Sequence, residues 1–329
     1  MLIVDDGNDA ARGLPTGIRD IPLILADKRV NNGALTYQPG IMDIMTGWLG
    51  NVITVNGMAG SVTAGVEPAI IRLRLLNASN ARILNPALAN GHSFWLIGID
   101  GGLLAAPMPV NNLLLALGKR ADILLDLRGD AGQTIRFVSA SFSSMGAGMM
   151  GFALPQGAAF DLLNIVLSGA TAMIAGSVPG SFAPIARYES ATAVVSRVFA
   201  LTTMNGMNGA LHRINNLTYD GARIDFVARR GELERWQFIN RSMEPHPMHV
   251  HGTQFQVVSR DGIEARRLAT DLCWKDTVLV RPLESVEIVL RFLVAGNYVL
   301  HCHNLEHEDN GMTLNFNVVY RIDCGLARH

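Results

Sequence analysis

The chain has 329 residues, a formal net charge of −1 and an apolar content of 49%. A chain of this size and composition can bury a substantial core and fits about two domains. It has no excess of basic residues to suggest nucleic-acid binding, and no block of like charge to suggest a disordered tail. We therefore predict a globular protein without a nucleic-acid partner.

The first residues, MLIVDDGND, lack the basic segment and the long apolar core of a signal peptide. The longest apolar stretch, residues 158–178, contains Asp161 and Asn164, so we predict no membrane span. The three cysteines are Cys273, Cys302 and Cys324, and their spacing indicates no disulfide framework.

Alternation of apolar and polar residues dominates the chain, and turn signals follow at short intervals. The segments ILADKRV and ALTYQ flank Asn32 and Gly33, a dipeptide typical of a two-residue hairpin turn. Long amphipathic helical patterns are scarce. The pattern therefore predicts an all-β fold.

Two halves of the chain repeat the same order of segments. The first half contains VITVNG, GVEPAIIRLRLLNAS, HSFWLIGIDGG and KRADILLDL, and the second contains NNLTYDG, GELERWQFINRS, TQFQVVSRDG and ESVEIVLRF. Similar segments at nearly equal spacing indicate two copies of one sandwich or barrel unit. The alternative is that any two β-sandwiches look alike at this level of detail.

Histidines are distributed unequally between these halves. The first half contains only His92, whereas the second contains the motifs HPMHVHG and HCHNLEHEDNGM. In a strand, successive side chains point to opposite faces, so Cys302 should face away from its neighbours His301 and His303. By the same rule, two histidines of HPMHVHG share a face and the first is free to serve another site. The two predicted ligand sets are His246, Cys302, His307 and Met312, and His249, His251, His301 and His303.

The first set has the composition of a blue-copper centre. Two imidazoles and a thiolate with a weak axial methionine suit copper that cycles between Cu(I) and Cu(II). Zinc also accepts cysteine and histidine, but it has no use for a methionine. Taken singly, a buried cysteine is usually a core residue and a methionine usually fills a gap.

The two motifs together resemble the C-terminal copper signatures of the multicopper oxidases, the laccase-like family. LRLLNASNAR, GIDGGLL, HGTQFQVVS and WKDTV are similar to the second and third domains of the bacterial cuprous-oxidase and laccase types. The resemblance implies two tandem cupredoxin-like Greek-key domains. We expect a remnant of an absent N-terminal domain at 1–17, a domain without copper ligands at 18–168, a linker at 169–195, a copper-binding domain at 196–323 and a tail at 324–329.

The family also implies roles for the matching residues. The first ligand set would hold the type 1 copper, which accepts electrons from a phenolic or Cu(I) reductant. His251, His301 and His303 would be type 3 ligands and His249 a type 2 ligand of the trinuclear site that reduces O2 to water. Glu308 resembles a carboxylate that delivers protons to bound oxygen, although a solvated acid is an equal alternative. The family is commonly exported, which suggests a periplasmic or secreted protein.

Half of the trinuclear ligand set is missing from this sequence. The family uses eight histidines there, and four of them come from an N-terminal domain. Outside the two motifs, only His92, His212 and His329 remain, and none forms an HxH pair. We expect an absent domain or another copy of the chain to supply the rest. The alternatives are a mononuclear blue-copper electron carrier, an inactive fragment and a scaffold that has lost copper. Met204, Met207 and Glu244 are a weaker candidate for a Cu(I) docking site.

Overall fold

The computed structural model of the chain describes residues 1–4, 6–60, 62–143, 154–170, 176–206 and 209–320. The elements of the first half are β1 (Asp20–Lys28), β2 (Val30–Asn31), β3 (Ala34–Leu35), α1 (Ile41–Thr46), β4 (Val52–Val55), β5 (Met58–Ala59), β6 (Val62–Val66), β7 (Ile70–Asn77), β8 (Pro86–Leu88), β9 (Phe94–Ile99), β10 (Gly102–Val110), β11 (Arg120–Asp126), β12 (Thr134–Ser139) and β13 (Phe160–Leu167).

The second half follows with strands and one short helix. Its elements are β14 (Val195–Gly206), β15 (Gly209–Ile214), β16 (Phe226–Arg229), β17 (Leu233–Asn240), β18 (His246–Val250), β19 (Phe255–Arg260), β20 (Thr277–Val280), β21 (Ser285–Arg291), β22 (Gly296–Cys302), α2 (Leu305–Asp309) and β23 (Thr313–Val319). The prediction of an all-β fold is therefore confirmed, because only two short α-helices occur in the part of the chain that is described.

The sheets of the two halves have matching strand orders. The first half contains β10-β9-β11-β7-β1-β4-β5 and β6-β13-β12-β8, and the second contains β15-β14-β17-β21-β19 and β16-β23-β22-β18-β20. The run β9-β11-β7-β1 therefore corresponds to β19-β21-β17-β14, and β6-β13-β12-β8 corresponds to β16-β23-β22-β18. Corresponding pairs also share direction, since β1 with β7 and β14 with β17 are both parallel. This agreement supports two copies of one unit, here called the first unit (β1–β13) and the second unit (β14–β23).

Each unit has its own apolar core between its two sheets. The core of the first unit includes Leu73 and Phe137, and the core of the second includes Trp236 and Phe316. Apolar packing also crosses between the units, as in the small buried cluster of Ile83, Ala116 and Leu279. Cys273 belongs to the second half of the chain but packs into the first core, where its thiol donates to the carbonyls of Gly102 and Leu103. The exact domain boundaries stay a prediction.

Two local predictions concern single segments. The hairpin at Asn32 and Gly33 is confirmed, because β2 pairs with β3 and both turn residues have positive φ, 50° and 78°. Within the apolar stretch at 158–178, residues 160–167 form strand β13, and residues 171–175 lie outside the described residues. Within the described ranges, no helix is long and apolar enough to cross a membrane.

Candidate metal centre

The histidine motifs lie on two neighbouring strands of the second unit. Strands β18 and β22 are antiparallel, with Met248 opposite Cys302 and His249 opposite His301. Because side chains alternate along a strand, the two cross-strand pairs point to opposite faces of the sheet. The sheet thus has cysteine on its inner face and imidazoles on its other face, which creates two separate groups of candidate ligands.

The inner group consists of His246, Cys302 and His307, all fully buried. The two imidazole Nδ1 atoms lie 3.2 Å apart, and the thiol Sγ lies 3.6 Å from Nδ1 of His246 and 3.7 Å from Nδ1 of His307. An ion equidistant from three atoms with these separations lies about 2 Å from each, the usual length of metal–imidazole and metal–thiolate bonds. The three donor atoms therefore fit one metal ion.

Nε2 of His246 and Nε2 of His307 make hydrogen bonds, which leaves Nδ1 of both imidazoles available to a metal ion. Nε2 of His307 donates to the carbonyl of Met45 at 3.1 Å, and Nε2 of His246 lies 2.8 Å from Oγ of Ser242. That hydroxyl is 2.8 Å from Oδ1 of Asn240, to which it can donate while accepting from the imidazole. A proton held on one ring nitrogen leaves the other as a free lone pair for a metal.

Burial keeps these imidazoles neutral and the thiol protonated in the metal-free chain. It lowers the pKa of His246 to about 3, and it lowers the pKa of His307 well below its ordinary value. Burial also raises the pKa of the Cys302 thiol far above its ordinary value. A cation must therefore displace the thiol proton, since metal coordination deprotonates a thiol that burial otherwise protects.

Met312 is the fourth predicted member of the inner group. It is fully buried in the core that also contains Cys302. Its carbonyl accepts from the backbone N–H of Cys302 at 3.0 Å, and its own N–H donates to the carbonyl of His307 at 3.0 Å. The backbone therefore closes a loop from Cys302 to Met312, and this loop is here called the ligand loop.

The second group lies on the opposite face of the same strands. His249, His251 and His301 have ligand atoms within 4.8 Å of one another, and Nε2 of His251 lies 3.0 Å from Nε2 of His301. Nδ1 of His249 donates to the carbonyl of Asp276 at 2.9 Å, which leaves its Nε2 free. Burial and the neighbouring histidine charges lower the pKa of His249 to about 4, although Asp276 acts in the opposite direction. The imidazole of His251 is exposed, so this group opens to the surface.

His303 lies beside the second group but outside its closest triad. Its ring centroid is 5.7 Å from that of His249 and 5.6 Å from that of His301. The ring rests against Gly118 of the first unit, where a Cβ atom would lie 2.4 Å from Nε2 of His303. Gly118 also has a φ of +70°, which side chains other than glycine rarely adopt. The surface of the first unit can therefore contact the His303 ring this closely only if residue 118 is glycine.

Glu308 is joined to the second group rather than to the first. Its Oε2 lies 3.0 Å from Nδ1 of His301, and its side chain is partly exposed. Burial acts to raise the pKa of this carboxyl, but the hydrogen bond with His301 and the nearby histidines outweigh that effect and the pKa is lowered. Glu308 is thus a carboxylate that holds the His301 ring while reaching solvent.

Sequence reasoning missed the residues that attach the ligand loop to the first unit. The carboxylate of Glu306 accepts hydrogen bonds from the hydroxyl of Tyr37, the backbone N–H of Trp48 and the amide of Asn80. Three donors from one unit therefore meet one buried carboxylate from the other. In the sequence, the sign of this contact was an acidic residue inside HCHNLEHEDNGM, next to the candidate ligand His307.

The two described residues of the predicted Cu(I) docking site, Met204 and Glu244, differ in exposure. Met204 is exposed and its sulfur accepts from Arg213, whereas Met207 lies outside the described residues. Glu244 is buried two residues before His246, and burial raises its pKa to about 7. Oε2 of Glu244 has no hydrogen-bond partner.

The chain is similar in sequence to a known protein family and to proteins of two different names. A family model described as multicopper oxidase matches residues 192–320. The chain is 31% identical over 316 residues to multicopper oxidase mco of Staphylococcus haemolyticus, covering 95% of this chain and 62% of that protein. It is also 32% identical over 285 residues to cell division protein FtsP of Photorhabdus laumondii, covering 85% of this chain and 57% of that protein. The chain thus spans about three fifths of the length of these curated relatives.

Solved structures give the same result over a larger share of their chains. McoA multicopper oxidase from the hyperthermophile Aquifex aeolicus superimposes with a TM-score of 0.83 and 32% identity, covering 95% of this chain and 68% of that chain. CueO, a bacterial laccase-like multicopper oxidase from Ochrobactrum sp., has a TM-score of 0.83 and 31% identity, covering 96% and 70%. The predicted cupredoxin-like architecture is confirmed by these neighbours. The chain therefore belongs to the multicopper oxidase family.

Proposed function

We propose that this chain carries the substrate-oxidising site and half of the oxygen-reducing site of a laccase-like multicopper oxidase. Copper is the cofactor that the family implies. His246, Cys302 and His307 would hold the type 1 ion, with Met312 as a weak fourth ligand. Bound copper would supply one-electron redox chemistry, with a phenolic or Cu(I) reductant as donor and O2 as acceptor. The observation that carries the proposal is the buried triangle of two Nδ1 atoms and one thiol.

The backbone of Cys302 connects the two ligand groups. Its neighbour His301 belongs to the second group and its other neighbour, His303, lies beside that group, while its own thiol belongs to the first. A covalent path of one residue therefore leads from one group to the other across the sheet. His301 orients the far end of this path, because its Nδ1 is fixed by Glu308 and its Nε2 faces His251. Glu308 is our candidate for moving protons at this group, since it bonds His301 and reaches solvent.

The second group and the adjacent His303 together supply four imidazoles, and the family uses eight. In the described part of the chain, His92 is exposed in the first unit and His212 is buried beside His307, so neither extends the group. We propose that an N-terminal domain or another copy of the chain contributes the remaining ligands at the open face near His251. A periplasmic or secreted location is part of the same proposal, as is the expected linker at 169–195 between the two copies.

A mononuclear blue-copper electron carrier is the second candidate function. It is supported by the contrast between the two groups, since the three donors of the inner group are fully buried whereas the second group opens to the surface at His251. Oxygen uptake separates the candidates. The isolated chain should transfer electrons without consuming O2, and an N-terminal domain bearing two HxH motifs should restore uptake if the first proposal holds. Oxygen uptake by this chain alone, with its mass verified, would contradict the half-site.

The experiment that tests the buried site compares two cysteine variants. Cys302→Ser should abolish the intense thiolate-to-copper absorption of the copper-loaded chain. Cys273→Ser is the matched control, because Cys273 is equally buried but bonds backbone carbonyls of the first unit. The proposal fails if the Cys302 variant keeps its colour, or if the wild-type chain has none when loaded.

A further inference from the structure

His212 lies outside both copper motifs, yet its ring stacks on a candidate ligand. Its ring centroid is 4.0 Å from that of His307, with 24° between the ring planes. Its side chain is fully buried. The stacked ring therefore covers one face of the His307 imidazole and separates that face from solvent.

The side chain of His212 is held at both nitrogens. Nε2 donates to the carbonyl of Ile44 in α1 at 2.8 Å, and Nδ1 accepts from the hydroxyl of Thr203 in β14 at 3.1 Å. Helix α1 belongs to the first unit. The carbonyl of Met45, which follows Ile44 in this helix, accepts from Nε2 of His307 at 3.1 Å. One turn of backbone thus receives hydrogen bonds from both stacked rings, which fixes their relative orientation.

The backbone of His212 is also attached to the ligand loop. Its N–H donates to the carbonyl of Asn310 at 3.1 Å. At Gly311, a Cβ atom would lie 2.8 Å from the carbonyl oxygen of His212. The close approach of strand β15 to the loop therefore requires glycine there. Position 212 is consequently tied to the loop that bears Cys302, His307 and Met312.

We propose that His212 is a positioning residue of the type 1 site, which fixes the ring plane of His307 and keeps water away from its outer face. This inference rests on the proposed function, because it concerns the environment of the copper that the buried group would hold. His212 is not a ligand: the ligand atom of His307 is Nδ1, while both nitrogens of His212 have other partners.

Loss of the His212 ring should change the reduction potential of the bound copper rather than the binding of copper. The shell around a metal site sets its solvent access and local dielectric, and these set its reduction potential. Water beside His307 would stabilise the more highly charged oxidised state. A ring that excludes this water therefore raises the reduction potential. A core histidine that only fills space in the apoprotein would affect stability and leave the potential of the folded, loaded protein unchanged.

The test measures the reduction potential and the thiolate-to-copper band of copper-loaded variants. His212→Ala opens the space beside His307, and His212→Phe keeps a ring there without its two hydrogen bonds. His92→Ala is the matched control, because that histidine is exposed in the first unit. We expect the alanine variant to keep its band and to have a lower potential than the wild type. The phenylalanine variant should lie closer to the wild type than alanine does, and the control should not shift.

Each outcome decides the proposal. A potential for His212→Ala equal to that of the control, or an equal drop for alanine and phenylalanine, would overturn it. If the alanine variant does not fold, His212→Asn replaces it, since asparagine keeps a donor for the Ile44 carbonyl but has no ring; its potential should then fall below that of phenylalanine. Loss of the band in His212→Ala would overturn the positioning role and indicate a ligand. A wild-type chain without a band would instead refute the proposed function itself.

Discussion

Replacement of Glu306 should weaken the attachment of the ligand loop to the first unit. Its buried carboxylate accepts from the Tyr37 hydroxyl at 3.1 Å, the Trp48 N–H at 2.9 Å and the Asn80 amide at 3.3 Å. Burial and the nearby carboxylate raise the pKa of Tyr37 to about 12, so its hydroxyl keeps the proton that it donates. All three hydrogen bonds join residues of different units, so Glu306 holds the second unit against the first.

The expected loss of stability follows from what each donor does without the carboxylate. Trp48 is buried, so its unpaired N–H should cost about 1–3 kcal/mol, whereas Tyr37 and Asn80 reach water and should cost about 1 kcal/mol each. Removing a buried charge offsets part of this sum. We therefore expect Glu306→Ala to lower the free energy of unfolding by about 2–4 kcal/mol, and Glu306→Gln, which keeps one acceptor, by about 1–2 kcal/mol.

The assay is urea unfolding of the metal-free protein, followed by tryptophan fluorescence and by circular dichroism. If the contact between the two units is lost in Glu306→Ala, the units should unfold separately. The fluorescence and circular-dichroism transitions should then have different midpoints. Asp309→Ala is the matched control, since it removes an exposed carboxylate from the same helix, α2. A Glu306→Ala midpoint indistinguishable from that of Asp309→Ala would show that the Glu306 carboxylate does not stabilise the contact between the units.

Further predictions concern the ligand groups and the contact between units. Met312→Leu should keep copper and raise its reduction potential, measured by redox titration; loss of copper would contradict a purely axial role. Gly118→Ala should displace the His303 ring and lower stability by about 1–3 kcal/mol in thermal unfolding, and an unchanged melting temperature would count against the contact. Burial and Lys275 lower the pKa of Lys119 to about 7, below its ordinary value, so the unfolded chain binds more protons between the two values. Stability should therefore rise with pH above about 7, and Lys119→Met should flatten this rise; parallel pH profiles of the two proteins would exclude Lys119 as the cause.

The strand pattern of the sequence predicted the separation of the two ligand groups. Alternation along NYVLHCH places Cys302 and His301 on opposite faces, and the register of β18 with β22 has this arrangement. The hairpin at Asn32 and Gly33 was predictable for a similar reason, since the required positive φ angles restrict the residue types. Both features depend on neighbours in sequence or on one pair of strands.

The surroundings of the ligands could not be predicted in the same way. The acceptors for Nε2 of His212 and His307 are the backbone carbonyls of Ile44 and Met45. Every residue has such a carbonyl, so residue type cannot reveal which one accepts. Their helix lies far from the ligands in sequence and meets them only through the packing of the two units. The fit of Gly118 against His303 depends on the same contact. Such features follow from tertiary packing rather than from local pattern.

We propose that Cys302, His246 and His307 of this chain together form one type 1 copper site. Titration of the metal-free chain with Cu(II), followed by visible absorption, detects such a site. We predict an intense thiolate-to-copper band that saturates at one copper per chain, whatever further copper binds at the surface histidines. Absence of this band at every copper ratio, in a chain shown to be folded, would show that these residues form no type 1 site.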